Sequence, residues 1–184
     1  MKKQRIILTL LLFAALWGLP HKAEAQFFSV KVNALAALTG TVNVGFDAAV
    51  ADKWTVDISG YWNPINSESF SCRLYSVQAG TKRWLYEAFV GHFIGGQLTY
   101  GSYLYGGSRH YYKGDMAGLG FSYGYVWLLS KRWNITAEIG IGVYYMNDTR
   151  RERVLPEYGP IYIHHYKRWV VGPSRAEVSF NYLF

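Results

Sequence analysis

Seven charged residues, Lys31, Asp47, Asp57, Lys82, Glu138, Arg175 and Glu177, share one parity within alternating segments of this chain, among small and polar neighbours. Side chains two apart in a strand share a face, so all seven point the same way. Asp57, Glu138 and Glu177 alone would suit acid–base work or a metal ion. Three cations against four anions nearly cancel, however. Ions held away from water persist only when paired and hydrogen-bonded, so the expectation is a structural ion network. A different chemistry is open to Ser108-Arg109-His110 and to His164-His165, because imidazole titrates near neutrality. Adjacent histidines in a strand point to opposite faces, and no Cys, Asp or Glu nearby completes a ligand spacing, so no metal is expected. Arg150, Arg151, Arg153, Lys167 and Arg168 lie near Tyr158, Tyr162, Tyr166 and Trp169. Such a basic, aromatic stretch suits phosphates or a protein partner through guanidinium forks and stacking. Gly95-Gly96 and Gly118-x-Gly120 fail as a phosphate cradle, since no helix follows them, and no cofactor is expected.

The elements that must position these residues begin after a leader. Lys2, Lys3 and Arg5 precede an apolar run from Ile6 to Leu19, and Ala23-Glu24-Ala25 precedes Gln26. Basic, apolar, then small-x-small is the pattern of a secretory signal, with cleavage expected before Gln26. The run is short of the roughly 20 residues of a spanning helix. Residues 1–25 are thus read as signal and 26–184 as one domain. Four of the 19 basic residues and one of the 12 acids fall in the leader, leaving a balance of +4. Those charges sit mostly near turns, which argues against nucleic acid as a partner. Cys72 is the only cysteine and forms no internal disulfide.

Past Gln26 the period is two. Leu119, Phe121, Tyr123, Tyr125, Trp127 and Leu129 share one parity, and Gly118, Gly120, Ser122 and Gly124 the other. The same alternation runs from Trp133 to Asn147 and from Arg175 to Phe184. Weaker versions cover 28–36, 41–51, 54–62, 73–85 and 89–103, which makes eight strands. Tight turns are expected at 51–53, 86–88 and 130–132. Longer polar loops are expected at 63–72, 104–115 and 148–171, with a short link at 37–40. Short turns at one end and longer loops at the other predict an all-β, eight-stranded antiparallel up-and-down transmembrane barrel with a polar, packed lumen.

Volume decides which face points in. An eight-stranded barrel has an interior just wide enough for side chains to fill, and the aromatic set would overfill it. The bulky face is therefore expected outward, toward lipid. Trp54, Trp84 and Trp133, each beside Lys53, Arg83 or Arg132, are read as one interfacial belt. Tyr61, Trp62, Tyr103, Tyr105, Tyr144 and Tyr145 are read as the opposite belt.

The chain resembles a Bacteroidetes-type family of small, uncharacterised outer-membrane β-barrels. The resemblance rests on Ser29-Val30-Lys31-Val32-Asn33-Ala34-Leu35, Gly91-His92-Phe93-Ile94-Gly95 and Leu129-Ser130-Lys131-Arg132-Trp133-Asn134-Ile135. It continues in Gly172-Pro173-Ser174-Arg175-Ala176 and the closing Tyr182-Leu183-Phe184. It implies no catalytic residues. It implies insertion through the machinery that reads a terminal aromatic, and an anchoring or assembly role beside surface fimbrial proteins. Relatives often carry a cysteine pair in the last loop, which is missing here. The leading expectation is non-enzymatic structural or surface-binding work in the outer membrane, with membrane lipid and lipopolysaccharide as partners. A lipid-modifying enzyme using Ser108 and His110 is the alternative, and a soluble ligand-carrying barrel the remote one.

Overall fold

The computed structural model describes residues 28–66, 70–107, 110–152 and 163–184. They form β1 (Phe28–Asn33), α1 (Ala34–Leu38), β2 (Val42–Ala51), β3 (Trp54–Asn66), β4 (Phe70–Trp84), β5 (Gly91–Gly107), β6 (His110–Leu128), β7 (Trp133–Glu152) and β8 (Ile163–Leu183). Each strand pairs antiparallel with the next, and β8 returns to β1, so the eight close into a barrel in sequence order. Both ends of the described chain meet at the short-turn end, where the Phe184 amide donates to the Phe28 carbonyl at 2.8 Å. Among the described residues no helix is long and apolar enough to cross a membrane, which says nothing of strands.

Strand length climbs steadily around the ring, from 6 residues in β1 to 21 in β8. The wall is therefore low at β1 and tall at β8, with a step where the two meet. β1 pairs only with Ser179–Leu183 of β8, and then the chain turns into α1. Asn33 makes that change. Its side-chain oxygen accepts from the Leu35 and Ala36 amides, the capping contact that starts a helix. The strand expected over 28–36 thus ends three residues early.

The stretches expected as loops at 63–72, 104–115 and 148–171 are largely strand. Asn63 lies opposite Leu74, Leu104 opposite Lys113, and Asp148 opposite Tyr166. Beyond the apolar band these strands have polar residues on both faces, so period-two hydropathy vanishes while the backbone ladder continues. Turns occupy the gaps at 52–53, 85–90 and 129–132. The second is wider than expected and is tied to its neighbour, with the Ala88 amide donating to the Asp52 carbonyl at 2.9 Å.

Polarity is inverted relative to a water-soluble domain. Among the described residues the buried hydrophobic side chains are Trp84, Phe89, Phe93, Val126, Tyr144 and Leu183, and the buried polar and charged ones far outnumber them. Phe121 is 76% exposed, Ile139 71% and Leu119 62%, while Lys31, Asp57 and Glu177 are all 5% exposed or less. Glycines let the interior close. A Cβ on Gly120 would stand 2.5 Å from Ser174 Cβ, so the wall there accepts only hydrogen.

Candidate functional site

The barrel axis is filled in layers. At the short-turn end Trp84, Phe89, Phe93, Val126 and Leu183 form an apolar plug. The Trp84 and Phe93 ring centroids lie 4.7 Å apart, and Trp84 Nε1 donates to Thr55 Oγ1 at 3.1 Å. Phe89 sits at φ +66°, a conformation a bulky residue rarely adopts. Its ring, 5.7 Å from Trp84, fills the end of the barrel.

Directly above the plug the structure brings together the seven charges picked out by parity. Lys82 Nζ lies 3.2 Å from Asp47 Oδ1, 3.4 Å from Glu138 Oε2 and 4.9 Å from the Phe93 ring centroid. Arg175 spans the axis, its Nη2 2.6 Å from Asp57 Oδ2 and its Nη1 2.9 Å from Glu138 Oε1. Lys31 Nζ joins Asp47 at 3.4 Å, and Asp57 and Glu177 at 3.8 Å each. Six strands contribute, so the charges crosslink the wall. A neutral layer follows: Gln97 Nε2 donates to Ser174 Oγ at 2.8 Å, and Gln78 Nε2 to the Ser174 carbonyl at 3.1 Å. Every carboxylate in the network faces a cation within 4 Å, so the charges are held as pairs. Among the described residues no group of His, Cys, Asp and Glu can hold a metal ion.

At the long-hairpin end the basic residues expected to share one loop are divided between the two faces of β7 and β8. Arg168 Nη2 meets Asp148 Oδ2 at 3.0 Å. Arg150 lies 4.5 Å and 5.2 Å from the rings of Tyr166 and Tyr112. Lys167 and Trp169, one residue away on either side of Arg168, project from the opposite face. Arg151 lies on β7 opposite Ile163, whereas Arg153, Tyr158 and Tyr162 fall outside the described residues. So does Ser108. His110 opens β6 and His164 lies on β8, not in loops. His165 is also on β8, its Nδ1 3.1 Å from Thr149 Oγ1.

The aromatic rings divide differently from expectation too. Trp84 belongs to the plug, because it shares parity with Lys82. Tyr144 is buried inside, its hydroxyl donating to the Pro173 carbonyl at 3.3 Å, and Tyr61 and Tyr103 follow the inward parity of Asp57 and Thr99. Trp54 and Trp133 stay outside at the short-turn end, where Arg83 lies 5.8 Å from the Trp54 ring. Trp62 and Tyr145 are outside at the other end, and Tyr105, exposed there, keeps the inward parity of Tyr103.

A family model described as "Protein of unknown function (DUF3575)" matches residues 9–184. The chain belongs to that family. The match starts inside the apolar run Ile6 to Leu19 and takes in every strand of the DUF3575 barrel, including all seven lumen charges. No curated protein and no solved structure matches the chain.

Proposed function

We propose that this DUF3575 chain is an integral outer-membrane β-barrel, delivered after removal of residues 1–25, that does structural and surface-binding work and neither catalyses nor conducts. The observation that carries this reading is the inversion: charge and amide groups crowd the axis, and a continuous apolar wall faces out. In water that wall would be an exposed apolar patch far larger than a monomeric soluble protein tolerates. In a bilayer it is the required solvent-facing surface, and closure leaves no strand edge unsatisfied in hydrocarbon. Rings flanked by cations at the short-turn end, and Tyr100, Tyr145 and Trp169 toward the other, suit the two headgroup levels. On this reading the short turns are periplasmic and the tall β4–β8 wall is external. The partners are membrane lipid and lipopolysaccharide, the insertion machinery reading Phe184, and surface fimbrial proteins that the external strands would help to anchor.

Two measurements test it together. Mature protein should need detergent for extraction and should migrate differently on a gel before and after boiling. Cys72, half-buried on β4 at the long-hairpin end, should react with a membrane-impermeant maleimide on intact cells. Free solubility without detergent, or labelling only after lysis, would refute the placement.

A further inference from the structure

The tall wall of β4–β8 carries more than a belt. Cross-strand register aligns Val77, Tyr100, Ala117, Tyr145 and Trp169 in one outward row. The next outward row on these strands, away from the short turns, holds Tyr75, Ser102, Asp115, Asn147 and Lys167, and the one after it holds Arg73, Leu104, Lys113, Thr149 and His165. Same-face rows lie roughly 7 Å apart along a strand, so aromatic and cationic levels are neighbours.

Two hollows coincide with these levels. The lower, of about 650 Å³, lies on an almost wholly apolar wall. Its low points are Ala79 and Ala117, and its ridges include Tyr100, 66% exposed, and Trp169, 71% exposed. The upper, of about 700 Å³, takes Arg73, Lys113 and His165 from the top row and Asp115 from the row below it. Both volumes fall in the roughly 300–1,000 Å³ range of small-molecule sites. Arg73 and Lys113 line the upper hollow with the single carboxylate of Asp115, and Lys167 flanks it on β8, opposite Asn147. An apolar hollow with a cationic hollow starting one row away has the polarity of an amphiphile with an anionic head.

We propose that this wall is a specific docking site for a phosphate-bearing acyl lipid of the surrounding leaflet. Its chains lie over Ala79 and Ala117 beside Trp169, and its phosphate is held by Arg73 and Lys113, with Lys167 adding positive charge at the flank. Charge complementarity selects the head, and shape selects chains over a protein helix, because the floor follows the strands. The inference rests on the membrane placement above.

The test uses the mature barrel in phosphatidylcholine nanodiscs doped with phosphatidic acid brominated on its acyl chains, or with equally brominated phosphatidylcholine. Each protein is compared with its own Trp169→Phe form, so that the difference in tryptophan quenching reports position 169. Trp169 should be half-quenched at a roughly tenfold lower mole fraction of brominated phosphatidic acid than of brominated phosphatidylcholine, as about one extra charge-assisted contact would give. The exposed triple variant Arg73→Gln/Lys113→Gln/Lys167→Gln should enter nanodiscs, retain its heat-modifiable band and lose that preference. Equal quenching by both lipids, or a preference that survives in the triple variant, overturns the site while leaving the barrel in its membrane. Failure of the folded barrel to enter nanodiscs overturns the placement and the site with it.

Discussion

Arg175 reaches carboxylates on two strands that are not neighbours, Asp57 on β3 and Glu138 on β7, and so ties opposite walls across the axis. Removing one partner of a buried ion pair is costly because the other keeps its charge without compensation, typically about 3–5 kcal/mol. Arg175→Met should therefore lower unfolding stability in urea by an amount of that order, read from the loss of the unboiled gel band. Arg175→Met/Glu138→Met should lose clearly less than the two single changes added together, since the charges leave as a pair. Strict additivity would mean that the two side chains do not act on each other. The same residue-scale logic explains what sequence could reveal. Parity alone collected all seven lumen charges because each sits in a segment with a clear period of two. Parity also separates Trp84 from the belt, as it lies two residues from Lys82, and Tyr61, as it lies four from Asp57. The neighbouring Arg83 makes Trp84 look interfacial, but adjacency in sequence is opposition in a strand. No composition rule signals Phe89 at positive φ, because its conformation is set by the plug it completes.

At the level of elements, Asn33 is the hinge on which the low side of the barrel depends. Its side-chain oxygen caps α1 and accepts from the Val178 amide at 3.3 Å, while its Nδ2 donates to the Ala176 carbonyl at 3.1 Å. One side chain thereby ends β1, begins α1 and satisfies β8 beyond its last β1 partner. Loss of an Asn cap costs about 0.5–2 kcal/mol, and the contacts to β8 add to it. Asn33→Ala should shift the urea midpoint downward by the equivalent of about 1–3 kcal/mol. Asn33→Asp, which keeps the cap but loses the Nδ2 donor, should fall between. If the two variants match, the side-chain oxygen and its cap contribute nothing, and if Asn33→Asp matches the unaltered protein, the Nδ2 contact to β8 contributes nothing. The cap was legible: Asn followed by Ala-Leu-Ala-Ala-Leu is a favourable start to a helix. It was hidden by the alternation of Val30, Val32 and Ala34 running into it. The outer halves of β4–β8 were hidden for the opposite reason, being strands without an apolar face, where only pairing reveals the ladder.

Across the whole molecule, two layers of different chemistry block the same axis. The plug closes it by volume, and the network above closes it by charge pairing across six strands. An ion entering from the short-turn side would first have to displace packed rings. It would next have to separate buried cations and carboxylates that are paired with one another. The purified barrel should therefore show no large, stable single-channel currents in a planar bilayer. Because the layers are stacked and not merged, opening one should leave the other. Trp84→Ala/Phe89→Ala removes the rings that fill the end but none of the ion pairs, and it should still pass no stable current, although it unfolds at lower urea. Steady conductance from that variant would show that the rings alone make the seal, and steady conductance from the unaltered protein would overturn the closed lumen altogether.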